Sequence, residues 1–329
     1  MTPHIPKQHR VARAMRAGGP DVLVVETADL PPLKDGDALV RVSAAGLNHV
    51  DSLARSGAYS IRFPFPYSVG IEGSGTVVAV GAGVSLTPGT RVCWTAVFGS
   101  CATYVVAPAR MLAPLPDALN FEAGASLAHA AITAAGLIRH SPRHEGSAVV
   151  WGAAGAVGRV LVALLADRGV SVIGIASGAR TDAAREAGAG YVVDRATEDV
   201  LQAVRGHTNG RGVEVVFDPV GAATYETNLG LLAPRGCLVN YGQLSGALPA
   251  IDLGQLMDAG SVFVTKYGPR AGVVTADEIG GLISEALALA TKRRLATDIA
   301  GRFALDSIAD AYRALDANPA GKILVLPAH

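Results

Sequence analysis

With 329 residues, half of them hydrophobic, the chain carries enough apolar material for one large core or, more economically, two. Its 28 Lys and Arg balance its 28 Asp and Glu, and only 5% of residues are aromatic, which argues against a basic or stacking surface for nucleic acid. The polar start MTPHIPKQHR, no apolar run near the ~20 residues that span a bilayer, and three unframed cysteines (Cys93, Cys101, Cys237) predict a soluble cytoplasmic protein with inert thiols and no membrane partner.

Up to about Pro116 the chain reads as short β-like pieces, ALVRVSAAG, GSGTVVAVGAG, TRVCWTAV and CATYVVAP, punctuated by PPLKDGD and LTPGT. That rhythm predicts a compact antiparallel barrel or sandwich. Residues 117–140 read as helix. From Ser147 onward apolar strand candidates SAVVW, VSVIGIA, YVVD, VEVVFD, GCLVNYG and SVFVTK alternate with the helical patterns AVGRVLVALLADR, TDAAREAG, TEDVLQAVRG and AATYETNLGLLA. Short continuous apolar strands in βαβ alternation predict a doubly wound α/β domain with a six-stranded parallel sheet. The tail from about Ala276 holds one or two helices and the strand KILVL, and it is expected to return to the first domain because the six-stranded sheet is already complete. The expected division is 1–130 completed by 271–329, with a nucleotide-binding domain at 131–270.

The stretch SAVVWGAAGAVGRV sits where the first strand of that series turns into its first helix. Val157, Val160, Leu161, Leu164 and Leu165 then mark one apolar helix face. The loop reads Ala153-x-Gly155-x-x-Gly158, so Gly155 permits close approach of a pyrophosphate and Gly158 close helix–strand packing, while Ala153 stands where a first Gly is usual. Ala154, Gly155, Ala156, Val157 and Gly158 would present backbone N–H groups to the phosphates at the helix N-terminus. The second strand ends in Ser177-Gly178-Ala179-Arg180 with no acid before Asp182. A carboxylate there would hold the ribose hydroxyls of NAD, whereas Ser177 and Arg180 suit a 2′-phosphate, so NADPH is the expected cofactor. The alternative for Arg180 is a solvated residue at a helix start.

The combination of GGPDVL, AAGLNHVDSLARSGAY, GIEGSGTVVAVGAGV, PGTRV, AAGAVG, VVFDPVG, YGQLSG, SVFVTK and GKILVL, from about Ala12 to Leu326, resembles the medium-chain dehydrogenase/reductase superfamily. Within it, the chain is similar to the zinc-free quinone oxidoreductase and enoyl reductase branch. The resemblance implies a GroES-like β-barrel carrying substrate contacts, interrupted by a Rossmann domain, with the active site in the cleft between them. Zinc-dependent relatives have a Cys ligand at the position of Asn48 and a His at that of Ile71, and neither Asn nor Ile completes a Cys/His zinc site, so no metal is expected. Without a Lewis acid, an already electrophilic quinone or enone is the more economical acceptor.

By the same resemblance, Asn48 and Tyr59 lie beside nicotinamide and substrate, Asn48 holding the cofactor's ribose or carboxamide and Tyr59 steering or protonating the acceptor oxygen; an ordinary loop tyrosine is the alternative. Thr133 is implied to touch the cofactor, as are Tyr241, Gly242 and Gln243 at the end of the fifth strand, Val264 and Thr265 by their backbone, and Lys322 by reaching toward it. Two departures stand out. Arg195 replaces a tyrosine near the adenosine and is free to serve the phosphate, and Leu53 replaces a pocket tyrosine, which points to an acceptor other than the simplest quinones. His49 and His129 read as structural, Asp51 and Arg55 as a local (i, i+4) helix pair, and Lys292-Arg293-Arg294 as a helix end.

The expected activity is NADPH-dependent hydride transfer to a quinone or to the C=C of an α,β-unsaturated carbonyl. A reductase of a polyketide-like enone inside a biosynthetic pathway and a non-catalytic NADPH-binding protein are the alternatives. A homodimer joined at the strand SVFVTK is implied by the resemblance, and a bare edge there would be a liability.

Overall fold

The structure, a computed structural model, describes residues 5–59, 62–143, 145–268, 272–295 and 298–327. Two units are formed, one from Met1–Ala130, Thr275–Thr291 and Ala296–His329, the other from Ala131–Val274 and Lys292–Leu295. The boundary expected at 270–271 lies outside the described residues.

The first unit runs through β1 (Gln8–Ala14), β2 (Leu23–Asp29), β3 (Asp37–Leu47), α1 (His49–Ser56), β4 (Tyr67–Ser68), β5 (Glu72–Val80), β6 (Arg91–Trp94), β7 (Tyr104–Pro108), β8 (Leu112–Pro114) and the start of α2 (Phe121–His140). Along β7, half-buried and buried residues alternate, the period-2 signature of a strand with one face on a core. β3 is the hub: it pairs antiparallel with β5 over Ala38–Gly46 and with β7 over Asp37–Arg41. At Gly46 an added Cβ would meet the Ala125 carbonyl at 1.9 Å, so this strand end approaches α2 more closely than any side chain permits.

α2 carries an 18-residue window of mean hydropathy 1.3, long and apolar enough to cross a bilayer, which the sequence reading did not anticipate because its alanines are interleaved with polar residues. That window is 67% buried, as a core helix is.

The second unit contains β9 (Ser147–Trp151), α3 (Ala156–Asp167), β10 (Ser171–Ala176), α4 (Thr181–Ala187), β11 (Tyr191–Asp194), α5 (Val200–His207), β12 (Val213–Asp218), α6 (Tyr225–Leu231), β13 (Leu232–Asn240), α7 (Leu253–Asp258) and β14 (Phe263–Lys266). Its strands form a six-stranded sheet in the order β11-β10-β9-β12-β13-β14. All five pairings are parallel. Counted from β9 this is 3-2-1-4-5-6, the doubly wound order of a dinucleotide-binding Rossmann domain. Val149, Ile173, Val216 and Leu238 form its core with residues of α5 and α6. The single apolar face expected for α3 is a wider one: every residue from Gly158 to Leu165 is buried. The helix lies on β9 and β10 and is covered by α4, so even Arg159 is enclosed.

The chain then returns to the first unit through α8 (Ile279–Arg293), β15 (Ile299–Ala304), α9 (Ile308–Asp316) and β16 (Lys322–Leu326). β16 pairs antiparallel with β3 and parallel with β15. The strand β15 was not anticipated, since IAGRFA is interrupted by glycine and alternates half-buried with exposed residues. Cys93, Cys101 and Cys237 are free and buried.

The pair expected within α1, Asp51 with Arg55, is replaced by two other contacts. Asp51 accepts the Asn48 backbone N–H at 2.8 Å at the helix start, and Arg55 reaches Asp316 at the end of α9, 3.0 Å away. Ser52 donates to the same carboxylate, and the Arg55 guanidinium stands 5.5 Å from the Tyr312 ring. With Arg55 4% exposed, Asp316→Ala strands a buried cation, and a loss of about 1–3 kcal/mol is expected in urea unfolding. Asp310→Ala, which removes an exposed pair with Arg313, should cost no more than ~0.5 kcal/mol. Equal losses in the two variants would show that the α1–α9 tie contributes nothing special.

Candidate functional site

In the second unit the β9–α3 loop is shaped by glycine at two places. Gly152 has φ of 64°, and a Cβ on Gly158 would lie 2.1 Å from the Gly152 carbonyl oxygen. The left-handed turn expected of the first loop position is therefore made one residue earlier, by Gly152, which explains why Ala153 is tolerated. Ala153 donates its N–H to Ile175 of β10 at 3.1 Å and sits over Gly174, where a Cβ would come within 3.0 Å of it. Gly155 is the N-cap of α3, with no side chain capping the helix. The first-turn N–H groups of Ala156, Val157 and Gly158 are thus left to an anion of the pyrophosphate kind.

Beyond the loop, three guanidinium groups gather. Arg180 donates to the Ala154 carbonyl at 3.0 Å, and the buried Arg159 donates its Nε–H to the same oxygen at 2.8 Å. Arg195, just past β11, donates to the Ser177 hydroxyl at 2.8 Å. The nearby acid, Asp194, is occupied with the backbone N–H groups of Gly178 and Ala196, each at 3.0 Å, which hold its carboxyl below the usual range. Ser177, Arg180 and Arg195 are therefore brought together as the sequence predicted. Arg159 was missed, and its only signal was a charge inside an otherwise apolar helix.

At the carboxyl ends of β12, β13 and β14, the buried Asp218 accepts from the N–H groups of Val220 (2.7 Å) and Gly221 (3.1 Å), the Thr224 hydroxyl (3.1 Å) and the Asn240 amide (3.2 Å). Tyr241 donates its N–H to the Asp218 carbonyl at 2.9 Å. A Cβ on Gly242 would meet the Pro219 carbonyl at 2.1 Å, and Gln243 is exposed at the same edge. Val264 is half-buried and in register with Leu238. Thr265 bonds His140 at 2.8 Å. Thr133 lies one turn ahead of Gly136 on α2, where an added Cβ would strike Tyr267 at 2.1 Å.

The first unit assembles a separate cluster through strand register. Gly46 lies opposite Glu72 between β3 and β5, and Leu47 opposite Ile323 between β3 and β16. Asn48, Glu72 and Lys322 are thereby carried to one place. The Lys322 ammonium donates to Glu72 and, at 2.7 Å, to Asn48 Oδ1; the Asn48 amide donates to Glu72 at 2.8 Å and to the Gly46 carbonyl at 3.4 Å. The other Glu72 oxygen accepts the His129 backbone N–H at 2.6 Å. Ammonium on one side and carboxylate on the other fix the orientation of the Asn48 amide. Both its hydrogens are spent, so its remaining capacity toward a ligand is a lone pair on Oδ1. Two of the three N–H groups of Lys322 are likewise committed inside the cluster rather than reaching outward. Glu72, its centre, was missed because its partner stands 250 positions away.

His129 is half-buried, lies 3.2 Å from the Thr95 hydroxyl, and is pushed by desolvation down to about 4, so it is neutral at physiological pH. Tyr59 follows α1, with its N–H on the Leu53 carbonyl at 3.0 Å. Its ring opens an aromatic row: Tyr59 to Phe63 at 6.3 Å and stacked, Phe63 to Phe98 at 4.8 Å, Phe63 to Tyr67 at 5.4 Å. In a chain so poor in aromatics this concentration is an apolar aromatic patch, its Tyr67 and Phe98 rings tilted by 36° and 54° to Phe63. The donor set around Asn48 does not fit a Cys/His zinc site: an amide, the aliphatic Ile71, an ammonium already on Glu72, and an Asp51 carboxylate taken up by the Asn48 backbone N–H. Among the described residues no three His, Cys, Asp or Glu side chains gather as a metal site.

Residues 34–117 match the alcohol dehydrogenase GroES-like domain, and residues 156–270 match the zinc-binding dehydrogenase family. A quinone oxidoreductase of Pseudomonas aeruginosa is 34% identical over 94% of this chain and 97% of its own length. The 2-haloacrylate reductase of a Burkholderia species is 32% identical over 76% of this chain and 78% of its own. Among solved structures, Escherichia coli quinone oxidoreductase complexed with NADPH superposes with a TM-score of 0.81 at 28% identity, covering 97% of this chain and all of that one (100%).

Burial raises the Asp51 carboxyl to about 7, overriding the opposing effects of the Asn48 N–H and of Lys322. Between its ordinary value and about 7 the folded chain binds this proton and the unfolded chain does not, so the contribution is complete at low pH and lost as pH rises through 7. Asp51→Asn should therefore shrink the fall in stability between pH 5 and 8, measured by chemical denaturation at both (about the span of the shift). A parent–variant difference independent of pH would contradict the elevated carboxyl.

Proposed function

The chain belongs to the medium-chain dehydrogenase/reductase superfamily, in its zinc-free quinone oxidoreductase branch, and from that premise we propose that it is an NADPH-dependent reductase of quinones or α,β-unsaturated carbonyls. The observation that carries the cofactor half is the glycine loop followed by Ser177, Arg180 and Arg195. Gly155 and Gly158 admit a pyrophosphate at the uncapped start of α3, and the arginines suit a 2′-phosphate. NADPH, when bound, supplies a hydride. Everything else falls to the protein: holding the two reactants in line, excluding water and managing the charge that appears on the acceptor.

An acceptor that is already electrophilic follows from a donor set unfit for zinc. The aromatic row from Tyr59 to Phe98 favours flat, apolar molecules. The names of the quinone oxidoreductase and the 2-haloacrylate reductase support both acceptor classes, a quinone and an activated C=C. Tyr59 is the residue placed to steer the acceptor oxygen, and Tyr59 or water returns the proton. On this reading the protein works in the cytoplasm as a homodimer. Support for the dimer is the edge position of β14 and its Phe263, 45% exposed on that strand.

The test is to mix the protein with NADPH and a panel of quinones and enones and follow NADPH absorbance. Turnover with at least one class is expected, and Tyr59→Phe should slow it about tenfold or more if that hydroxyl is the proton source. Tight NADPH binding with no oxidation across the panel would leave a binding protein instead. Separately, Arg180→Ala should weaken NADPH about ten- to hundredfold in a fluorescence titration, the size of a charge-assisted hydrogen bond, with little effect on NADH. Equal weakening of both cofactors would remove Arg180 from the 2′-phosphate.

A further inference from the structure

A hydride delivered to a carbonyl-conjugated carbon leaves a full negative charge on oxygen, and a site without a metal ion must meet that charge with a preorganised donor. We propose that Lys266 is this donor, its ammonium hydrogen-bonding the acceptor oxygen as the charge develops. The inference rests on the reductase reading above and adds a residue to it.

The topology says which half of the sheet receives which end of the cofactor. A doubly wound sheet binds the two halves of a dinucleotide on either side of its switch point. Ser177, Arg180 and Arg195 follow β10 and β11, which assigns the adenosine half to that side. The nicotinamide half, and with it the reacting acceptor, then belongs to the ends of β12, β13 and β14. Lys266 is the last residue of β14.

Its ammonium is held rather than free. It donates to Asn240 Oδ1 at 2.5 Å and to the Gly242 carbonyl at 3.0 Å. An ammonium has three donors, and those two neutral acceptors leave one uncommitted in the contacts described. Asn240 is itself fixed, its amide donating to the Asp218 carboxylate at 3.2 Å and to the Asp218 carbonyl at 3.1 Å. Asp218 is fully buried and held in place by backbone and hydroxyl donors. The chain Asp218–Asn240–Lys266 therefore positions a cation without placing a carboxylate against it, so its field is available to a new anion. The residue is exposed, yet desolvation of its ammonium lowers the lysine below its ordinary value, with the charge of Asp218 opposing that shift. Of the cations described above, Lys322 is ion-paired with Glu72, and Arg159, Arg180 and Arg195 stand on the adenosine side.

In the step itself, the electrophilic carbon of the acceptor accepts a hydride from NADPH, the conjugated π electrons move onto oxygen, and Lys266 holds the oxyanion. Protonation of the oxyanion completes the reduced product, and NADP⁺ is released.

The experiment uses the full chain with NADPH and an acceptor the parent reduces. Lys266→Met should lower kcat about 100-fold, the size of losing one oxyanion donor, while the NADPH dissociation constant from fluorescence titration stays within about twofold. Lys266→Arg, which keeps the charge, should recover most of that loss. Unchanged kcat in Lys266→Met, an NADPH affinity that falls as far as kcat, or an arginine variant as slow as the methionine one would each overturn the proposal. A parent that binds NADPH yet reduces no acceptor sinks the reductase reading and this inference with it. A parent that turns over beside an equally active Lys266→Met sinks the inference alone.

Discussion

A carboxylate with no exposure to water has to be met by positive charge and by hydrogen-bond donors, or the fold around it will not persist. Glu72 is that group in the first unit, and the constraint explains much of what surrounds it. One of its oxygens takes Lys322 and Asn48, the other a backbone N–H of α2. For those donors to arrive together, β5, β3 and β16 must align in a single register, and Gly46 must lack a side chain so that α2 can close over the strand end. A slip of one residue in any of these strands would point the partners to opposite faces. The charge cluster thus specifies the register as much as the register builds the cluster.

The second unit shows the same logic with Asp218. Its carboxylate is saturated by the turn after β12 and by Asn240, and this locks the strand ends that face a ligand in a parallel sheet. Glu72 in the first unit and Asp218 in the second are thus buried acids that hold their neighbours still. In the first the neighbour is Asn48, whose amide is almost wholly consumed; in the second it is Lys266, which keeps a donor in hand.

Much of the architecture could be read from the residues because its signals are local. The βαβ rhythm from Ser147 onward, the glycine loop, and the pair Ser177 and Arg180 depend on short spacings, and each lies where those spacings put it, whereas Arg195 was reached through the family resemblance. What escaped depends on contacts between distant stretches. Glu72 looked like one residue of a turn-rich strand, Arg55 looked like a partner for Asp51 rather than for Asp316, and Arg159 looked like the polar side of an amphipathic helix. β15 escaped for a different reason: a strand whose burial alternates only between half-buried and exposed lacks the apolar stripe that periodicity can detect. Asn240 and Lys266 lay in the strands GCLVNYG and SVFVTK without a role assigned to either, and the parallel pairing of β13 with β14 sets them side by side.

The order in which the chain is made gives the split first unit a further meaning. A ribosome delivers Glu72 early and Lys322 250 residues later, after the whole second unit has emerged. Until then the carboxylate lacks its Lys322 counter-ion and β3 lacks β16 as a neighbour. The second unit, contiguous in sequence apart from a few residues of α8, is able to fold while the first waits. The segment that follows the second unit thus brings the first both the lysine that neutralises Glu72 and the strand that flanks β3.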